Sequence, residues 1–208
     1  ADIVSAAKKE LAITEEHKDI FRETIRSMAI DKVVWLSENH RYAALVSVRK
    51  LEMNIARELK RISDAEVTTP SVSLEAGISQ AEDELGIEYT DEQRDAIKKI
   101  VQSNVSILTG LGGTGKTSVV SGVLKALQGM SFAQTALSGR AAARMSEVTY
   151  KDGFTIHRLL EYSPESGFKR CASNQLSQQI IILDETSMVG ADLFYHLVQA
   201  IRSGSRLI

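Results

Sequence analysis

Four glycines fall within six positions in the middle of this chain, in the run Gly110-Leu111-Gly112-Gly113-Thr114-Gly115-Lys116-Thr117. No other segment restricts the fold as strongly. Glycines lack Cβ atoms, so consecutive backbone N–H groups can turn inward around an anion, and a helix starting at the lysine adds the positive end of its dipole. The run sits between an apolar stretch, Val105–Thr109, that reads as a strand and an amphipathic stretch, Thr117–Leu127, that reads as a helix. Strand, G-x-x-x-x-G-K-T loop and helix in that order are the setting a triphosphate-binding loop requires. Lys116 is then expected to reach the β- and γ-phosphates and the Thr117 hydroxyl to bind Mg²⁺. Gly110, Leu111, Gly112, Gly113, Thr114, Gly115 and Ser118 complete the expected lining of a bound nucleotide, with ATP and Mg²⁺ as cofactors.

A second segment fits the first. Ile180-Ile181-Ile182-Leu183 reads as a strand buried on both faces, and it ends on Asp184-Glu185. Open α/β sheets bind ligands outside the carboxyl ends of their strands. Asp184 is therefore expected to hold Mg²⁺ through water opposite Thr117, and Glu185 to orient and deprotonate the water that attacks the γ-phosphate. The alternative is an acid pair that only caps the following helix. Upstream, Thr90 and Gln93 have the spacing of a capping box at the start of a helix over Asp91–Val101. A carboxamide donates and accepts at once, so Gln93 is also suited to the N6/N7 edge of adenine. Tyr89 is suited either to stacking on the base or to packing in the core.

Around these motifs the chain divides near residue 65. Residues 1–65 carry helical periods over Ile3–Leu11 and Glu15–Ile30, two strand-like runs (Val33–Leu36 and Tyr42–Val48), and a further helical period through Leu51, Ile55, Leu59 and Ile62. The pattern suits a small winged-helix module or a helical subdomain with a β-flap. The stretch from about Ser63 to Ser73, with Pro70, reads as a linker, and residues 66–86 are assigned to linker and a helix over Leu74–Leu85. Residues 87–208 alternate strand, turn and helix, through Ala133–Leu137, Ala141–Glu147, Ile180–Leu183, Ala191–Ile201 and the apolar end Arg206–Ile208. That alternation predicts an α/β fold with a parallel sheet. The last strand at the chain end reads as part of a longer protein. Of 208 residues, 43% are hydrophobic and 25% charged, and no apolar run reaches membrane-spanning length. With Cys171 the sole cysteine and no leader before Ala1, a cytoplasmic location is expected. A net charge of −2 excludes a global field for nucleic acid, so any basic surface is local.

Four segments in order, the glycine loop, Ser138-Gly139-Arg140-Ala141-Ala142, Thr155-Ile156-His157-Arg158-Leu159-Leu160 and Asp184-Glu185-Thr186-Ser187-Met188-Val189, resemble those of RecD-like DNA helicases of superfamily 1. The resemblance runs from about Leu85 to the end and implies a P-loop NTPase (RecA-like) sheet flanked by helices. It implies ATP-driven 5′→3′ translocation on single-stranded DNA with unwinding at duplex junctions, in DNA repair and recombination. It places Gln93 on the adenine-reading glutamine, Ser138, Gly139 and Arg140 on a segment that touches single-stranded DNA, and Thr155, His157 and Arg158 near the DNA path. The residues alone are compatible with that path: Arg140 and Arg158 suit phosphates, Ser138 and Thr155 can donate hydrogen bonds, and His157 suits packing or DNA equally. Arg144, Lys50, Arg57, Lys60 and Arg61 read as solvated faces. Ser138 departs from the family's usual threonine. The second motor domain and its arginine finger have no counterpart in the sequence, so this chain holds half of the expected ATP cleft and is expected to turn over slowly or not at all. The helicase half of a conjugative relaxase and a nucleotide-gated DNA adaptor that does no unwinding are the competing readings.

Overall fold

The computed structural model describes residues 17–39, 42–68, 73–149 and 151–208. The helix expected over Ile3–Leu11, the first residues of the next helix, His40 and Arg41 between the expected strands, and Pro70 in the expected linker lie outside them. Contacts divide the chain into two compact units, Ala1–Asn54 and Ile55–Ile208.

In the first unit, α1 (Lys18–Ile30) precedes an antiparallel hairpin of β1 (Val34–Leu36) and β2 (Ala43–Leu45). The Arg49 guanidinium lies 3.6 Å from the centre of the Trp35 ring, a cation–π contact. The strand expected from Tyr42 to Val48 is shorter than its composition indicated, because Val46–Val48 already belong to α2 (Val46–Ser63). The spacing of Leu51, Ile55, Leu59 and Ile62 continues upstream to Val48, and that helical register outweighs the β preference of two valines.

The second unit is an α/β layer structure whose strands β3 (Phe132–Ala136), β4 (Gly153–Thr155), β7 (Ile180–Leu183) and β8 (Arg206–Leu207) form one parallel sheet in the order β4-β3-β7-β8. The parallel sheet expected from the sequence is present. Strand β7 explains its layers. Ile180 and Ile182 face a cluster formed with α3 (Leu74–Leu85), α4 (Asp91–Val101) and α5 (Lys116–Ala126). Ile181 and Leu183 face the opposite cluster, with α7 (Ile156–Leu159) and α8 (Ala191–Ala200). Four consecutive apolar residues are thus needed because both faces are covered. Helix α3 lies so close to α5 that a Cβ on Gly77 would stand 2.5 Å from Ala126 Cα. Helix α6 (Gly139–Thr149) connects β3 to β4, and a two-stranded hairpin, β5 (Tyr162–Ser163) with β6 (Gly167–Phe168), follows α7.

The strand expected over Val105–Thr109 is reduced to one bridge. Val105 pairs in parallel with Leu207, and the Ser106 N–H donates to the Leu207 carbonyl at 2.9 Å. Ile107, two residues past the bridge, is 90% exposed despite its apolar side chain.

Candidate nucleotide and DNA site

Register fixes which residues share the carboxyl edge of the sheet. Thr155 stands opposite Ala136, and the Asp184 N–H continues the ladder onto the Thr135 carbonyl at 2.9 Å, just past the Thr135–Leu183 pair. On the other side Ile181 stands opposite Leu207 and Leu207 opposite Val105, so Leu108 is as far past Val105 as Asp184 is past Ile181. The glycine loop, Ser138–Arg140, Thr155–Arg158 and Asp184–Glu185 therefore all leave the sheet at one edge. That is where parallel sheets leave strand ends and helix starts free for ligands.

The loop is held in shape by its own backbone angles and side chains. Gly113 and Gly115 have φ of +79° and +82°, a region that a side chain would strain. Thr114 Oγ1 donates to the Leu111 carbonyl at 2.8 Å, and Lys116 Nζ donates to the carbonyls of Gly110 and Leu111 at 2.8 and 2.9 Å. The ammonium thus stands at the mouth of the loop, on exposed partners it can exchange for phosphate oxygens. A Cβ on Gly112 or Gly113 would meet nothing within 4 Å, so the space over the crown of the loop is open. Helix α5 begins at Lys116, and the first N–H groups of a helix lack partners within it. Thr117, exposed in that first turn, and Asp184, exposed at the end of β7, are the hydroxyl and carboxylate that suit a Mg²⁺ bound mainly by phosphates and water. One Asp184 oxygen accepts the Glu185 N–H at 2.9 Å, and the other has no hydrogen-bond donor among the described residues. Glu185 is exposed and left-handed, with φ of 52°.

Gln93 is brought to the loop and has two functions there. Its Oε1 accepts the Thr90 N–H at 3.1 Å and its N–H donates to Thr90 Oγ1 at 3.3 Å, completing the expected capping box of α4. Its Nε2 donates to the Thr114 carbonyl at 3.2 Å, and a Cβ on Gly115 would come within 2.6 Å of that nitrogen. One amide hydrogen and one lone pair remain. Tyr89, by contrast, is packed. It is 3% exposed, lies in the cluster with Ile97, Val119 and Val123, and donates its hydroxyl to the Ser118 carbonyl, so a stacking role on the base is ruled out by burial. Burial and the nearby Glu82 carboxylate push its phenol above the usual range.

The expected DNA residues are exposed except for Thr155, which is half-buried. Two of them cap helices: Ser138 Oγ accepts the Ala141 N–H at 3.2 Å, and Thr155 Oγ1 accepts the Arg158 N–H at 3.2 Å. Those hydroxyls hold the helix starts that carry Arg140 and Arg158. Arg158 leans over the Phe154 ring, 5.3 Å from its centre. The exposed His157 ring is 5.4 Å from Tyr162 and 5.7 Å from Phe168, so it is in contact with the β5–β6 hairpin without being buried. Sequence reasoning missed that hairpin and the pairing of Glu82 with Arg94 at 2.6 Å next to Gln93. An acid seven residues before Tyr89 and a Ser-Pro-Glu-Ser-Gly turn were the available signals.

Among the described residues no helix is long and apolar enough to cross a membrane. Residues 93–208 match a family model described as an AAA domain. The chain is 34% identical over 143 residues to the RecBCD enzyme subunit RecD of Mycobacterium tuberculosis, a match covering 57% of this chain and 25% of that protein. It is 32% identical over 121 residues to the ATP-dependent RecD2 DNA helicase of Deinococcus radiodurans, covering 57% and 17%. The ATP-dependent DNA helicase PIF1 of Trypanosoma brucei is 27% identical over 124 residues, covering 59% and 13%. The chain thus matches a quarter or less of the length of each relative.

Proposed function

Given that this chain belongs to the AAA domain family and is RecD-like across its matched residues, we propose that it binds Mg-ATP and single-stranded DNA as part of a DNA helicase. The observation that carries the reading is the convergence of four motif-bearing turns on one carboxyl edge of a parallel sheet. Lys116 and the glycine-loop N–H groups hold the triphosphate, and Gln93 reads adenine with its remaining donor and acceptor. Thr117 and Asp184 hold Mg²⁺, which when bound neutralises charge on the β- and γ-phosphates. Glu185 holds the attacking water and takes its proton. Ser138, Gly139, Arg140, Thr155, His157 and Arg158 carry the DNA backbone along the same edge.

The relatives' greater lengths support a second motor domain that completes the ATP cleft, with 5′→3′ translocation as the output and residues 1–65 as a small module ahead of the motor portion, 87–208. The isolated chain is then a weak nucleotide binder with little turnover, and it works in the cytoplasm, a reading with which its single cysteine is compatible. The test is ATP turnover by the longer protein with and without single-stranded DNA. Stimulation by DNA that vanishes in Glu185→Gln is expected. Turnover indifferent to DNA would leave a nucleotide-gated module and remove the helicase reading.

A further inference from the structure

Residues 89–94 grip the phosphate loop at two points. The Tyr89 hydroxyl donates to the Ser118 carbonyl, in the first turn of α5, while Gln93 Nε2 donates to the Thr114 carbonyl within the loop. Between these points the segment is closed on itself. Glu82 Oε1 accepts the Tyr89 N–H at 2.8 Å, and both Glu82 oxygens accept from Arg94 Nη2 at 2.6 and 2.7 Å. The capping box then joins Thr90 to Gln93. The contact with α5 depends on Gly122, where a Cβ would stand 3.0 Å from the Tyr89 hydroxyl and 2.5 Å from Ile97 Cδ1.

Each bond does something the loop does not need for its own shape. Lys116 and Thr114 already close the loop through Gly110 and Leu111. Ser118 lies inside α5, where its carbonyl has a helical acceptor role without the phenol. What the phenol adds is a fixed offset between the helix that starts at Lys116 and the segment that presents Gln93. Glu82 transmits that offset, since it holds Tyr89 and Arg94, the neighbour of Gln93, at once.

We infer that Tyr89 is a positioning residue for base selection: its hydroxyl, with the Glu82–Arg94 pair, indexes the Gln93 amide against the phosphate loop so that base and triphosphate are read together. The inference rests on the proposal that Gln93 reads adenine. It makes the adenine contribution to affinity depend on a buried hydroxyl that touches no ligand.

The test is a titration of the whole chain with ATP and, separately, with inorganic tripolyphosphate, both with Mg²⁺, in the wild type and in Tyr89→Phe. Removing one hydrogen bond of ordinary strength is expected to weaken ATP about 3- to 10-fold, leaving tripolyphosphate within about twofold. Gln93→Ala is expected to match that pattern, and the double variant to lose little more than either alone. Thermal unfolding of each variant without ligand checks that folding is intact. Equal weakening of both ligands by Tyr89→Phe overturns the inference, since the phenol then only shapes the loop, and so does unchanged ATP affinity. A wild type that binds ATP no better than tripolyphosphate removes base reading by Gln93 and the indexing with it. A wild type that binds neither removes the nucleotide assignment itself.

Discussion

At the amino edge of the parallel sheet a guanidinium is sealed from solvent, while at the carboxyl edge Arg140, Arg158, Asp184 and Glu185 all stand exposed. Arg206, 0% exposed at the start of β8, donates through Nη2 to the carbonyls of Thr68 and Val101 at 2.6 and 3.0 Å, and Nη1 lies 3.5 Å from Met130 Sδ. Burial lowers its pKa from the usual arginine value, and its Nε has no partner among the described residues. Beside it Asn104 donates to the Ala65 carbonyl at 2.7 Å. Their bonded donors fasten residues 65–68, the start of the expected linker, to the sheet. At the opposite edge Ser138 and Thr155 cap helices, but the charged groups of Arg140, Arg158, Asp184 and Glu185 stand exposed. One sheet therefore separates the groups that hold the chain from those free for a ligand, and burial tells them apart better than residue type does.

The largest effect is expected at the closed edge. Arg206→Ala leaves two carbonyls without their charged donor and opens a cavity, a loss of about 3 kcal/mol or more. Urea unfolding followed by circular dichroism reads it, and Arg206→Met should recover part of the loss by refilling the volume. A midpoint unchanged in Arg206→Ala would break the contrast between the edges. At the open edge the signature reverses. Lys116→Ala should lower ATP affinity about 100-fold, equivalent to about 2.7 kcal/mol. Its unfolding free energy should stay within about 0.5 kcal/mol, because Nζ bonds only exposed loop carbonyls. Retained affinity in a calorimetric titration would take the lysine out of the site.

The open edge was the more legible of the two in the sequence, and the reason is physical. Loop and acid pair are local: glycine spacing needs φ values that only glycine tolerates, as Gly113 and Gly115 show, and Asp184 follows an unmistakable four-residue apolar run. The clamp at the closed edge joins Arg206 to Thr68 and Val101, residues far apart in the chain, and no local pattern announces such a contact. Strand length failed for the same reason. Val105–Thr109 has strand composition, but a ladder is made by its neighbour, Leu207 opposite Val105, and not by composition. Conversely, β4 begins on a glycine and spans three residues, too few for a period to register, yet pairing with β3 makes it a strand. Tyr89 illustrates a residue whose type allowed two roles and whose burial selected one.

Thr155 crosses the distinction between the edges and can sharpen it. It is at the carboxyl edge, but its hydroxyl caps α7, so Thr155→Ala should destabilise the chain by about 1 kcal/mol as well as weaken single-stranded DNA binding. Thr155→Ser keeps the cap and should restore stability. An alanine variant as stable as the wild type would mean that the hydroxyl is held for DNA alone.

The smallest effect concerns the backbone of Glu185. Three described non-glycine residues have positive φ, and two of them, Lys32 and Glu161, follow helix ends, where left-handed residues commonly close the last turn. Glu185, with φ of 52°, instead links β7 to the short helical turn Thr186–Met188. A left-handed conformation costs a side-chain-bearing residue about 1–2 kcal/mol, and glycine offsets part of any gain through unfolded-chain entropy, so Glu185→Gly should stabilise the chain by less than about 1 kcal/mol. Glu185→Gln keeps the strain and should leave stability unchanged. If the backbone is strained in order to project a carboxylate from the sheet edge, both variants lose the DNA-stimulated ATP turnover proposed above while only the glycine variant gains stability. A glycine variant less stable than the wild type would show that the left-handed turn is paid for by contacts of the Glu185 side chain, and the open edge would then be partly structural too.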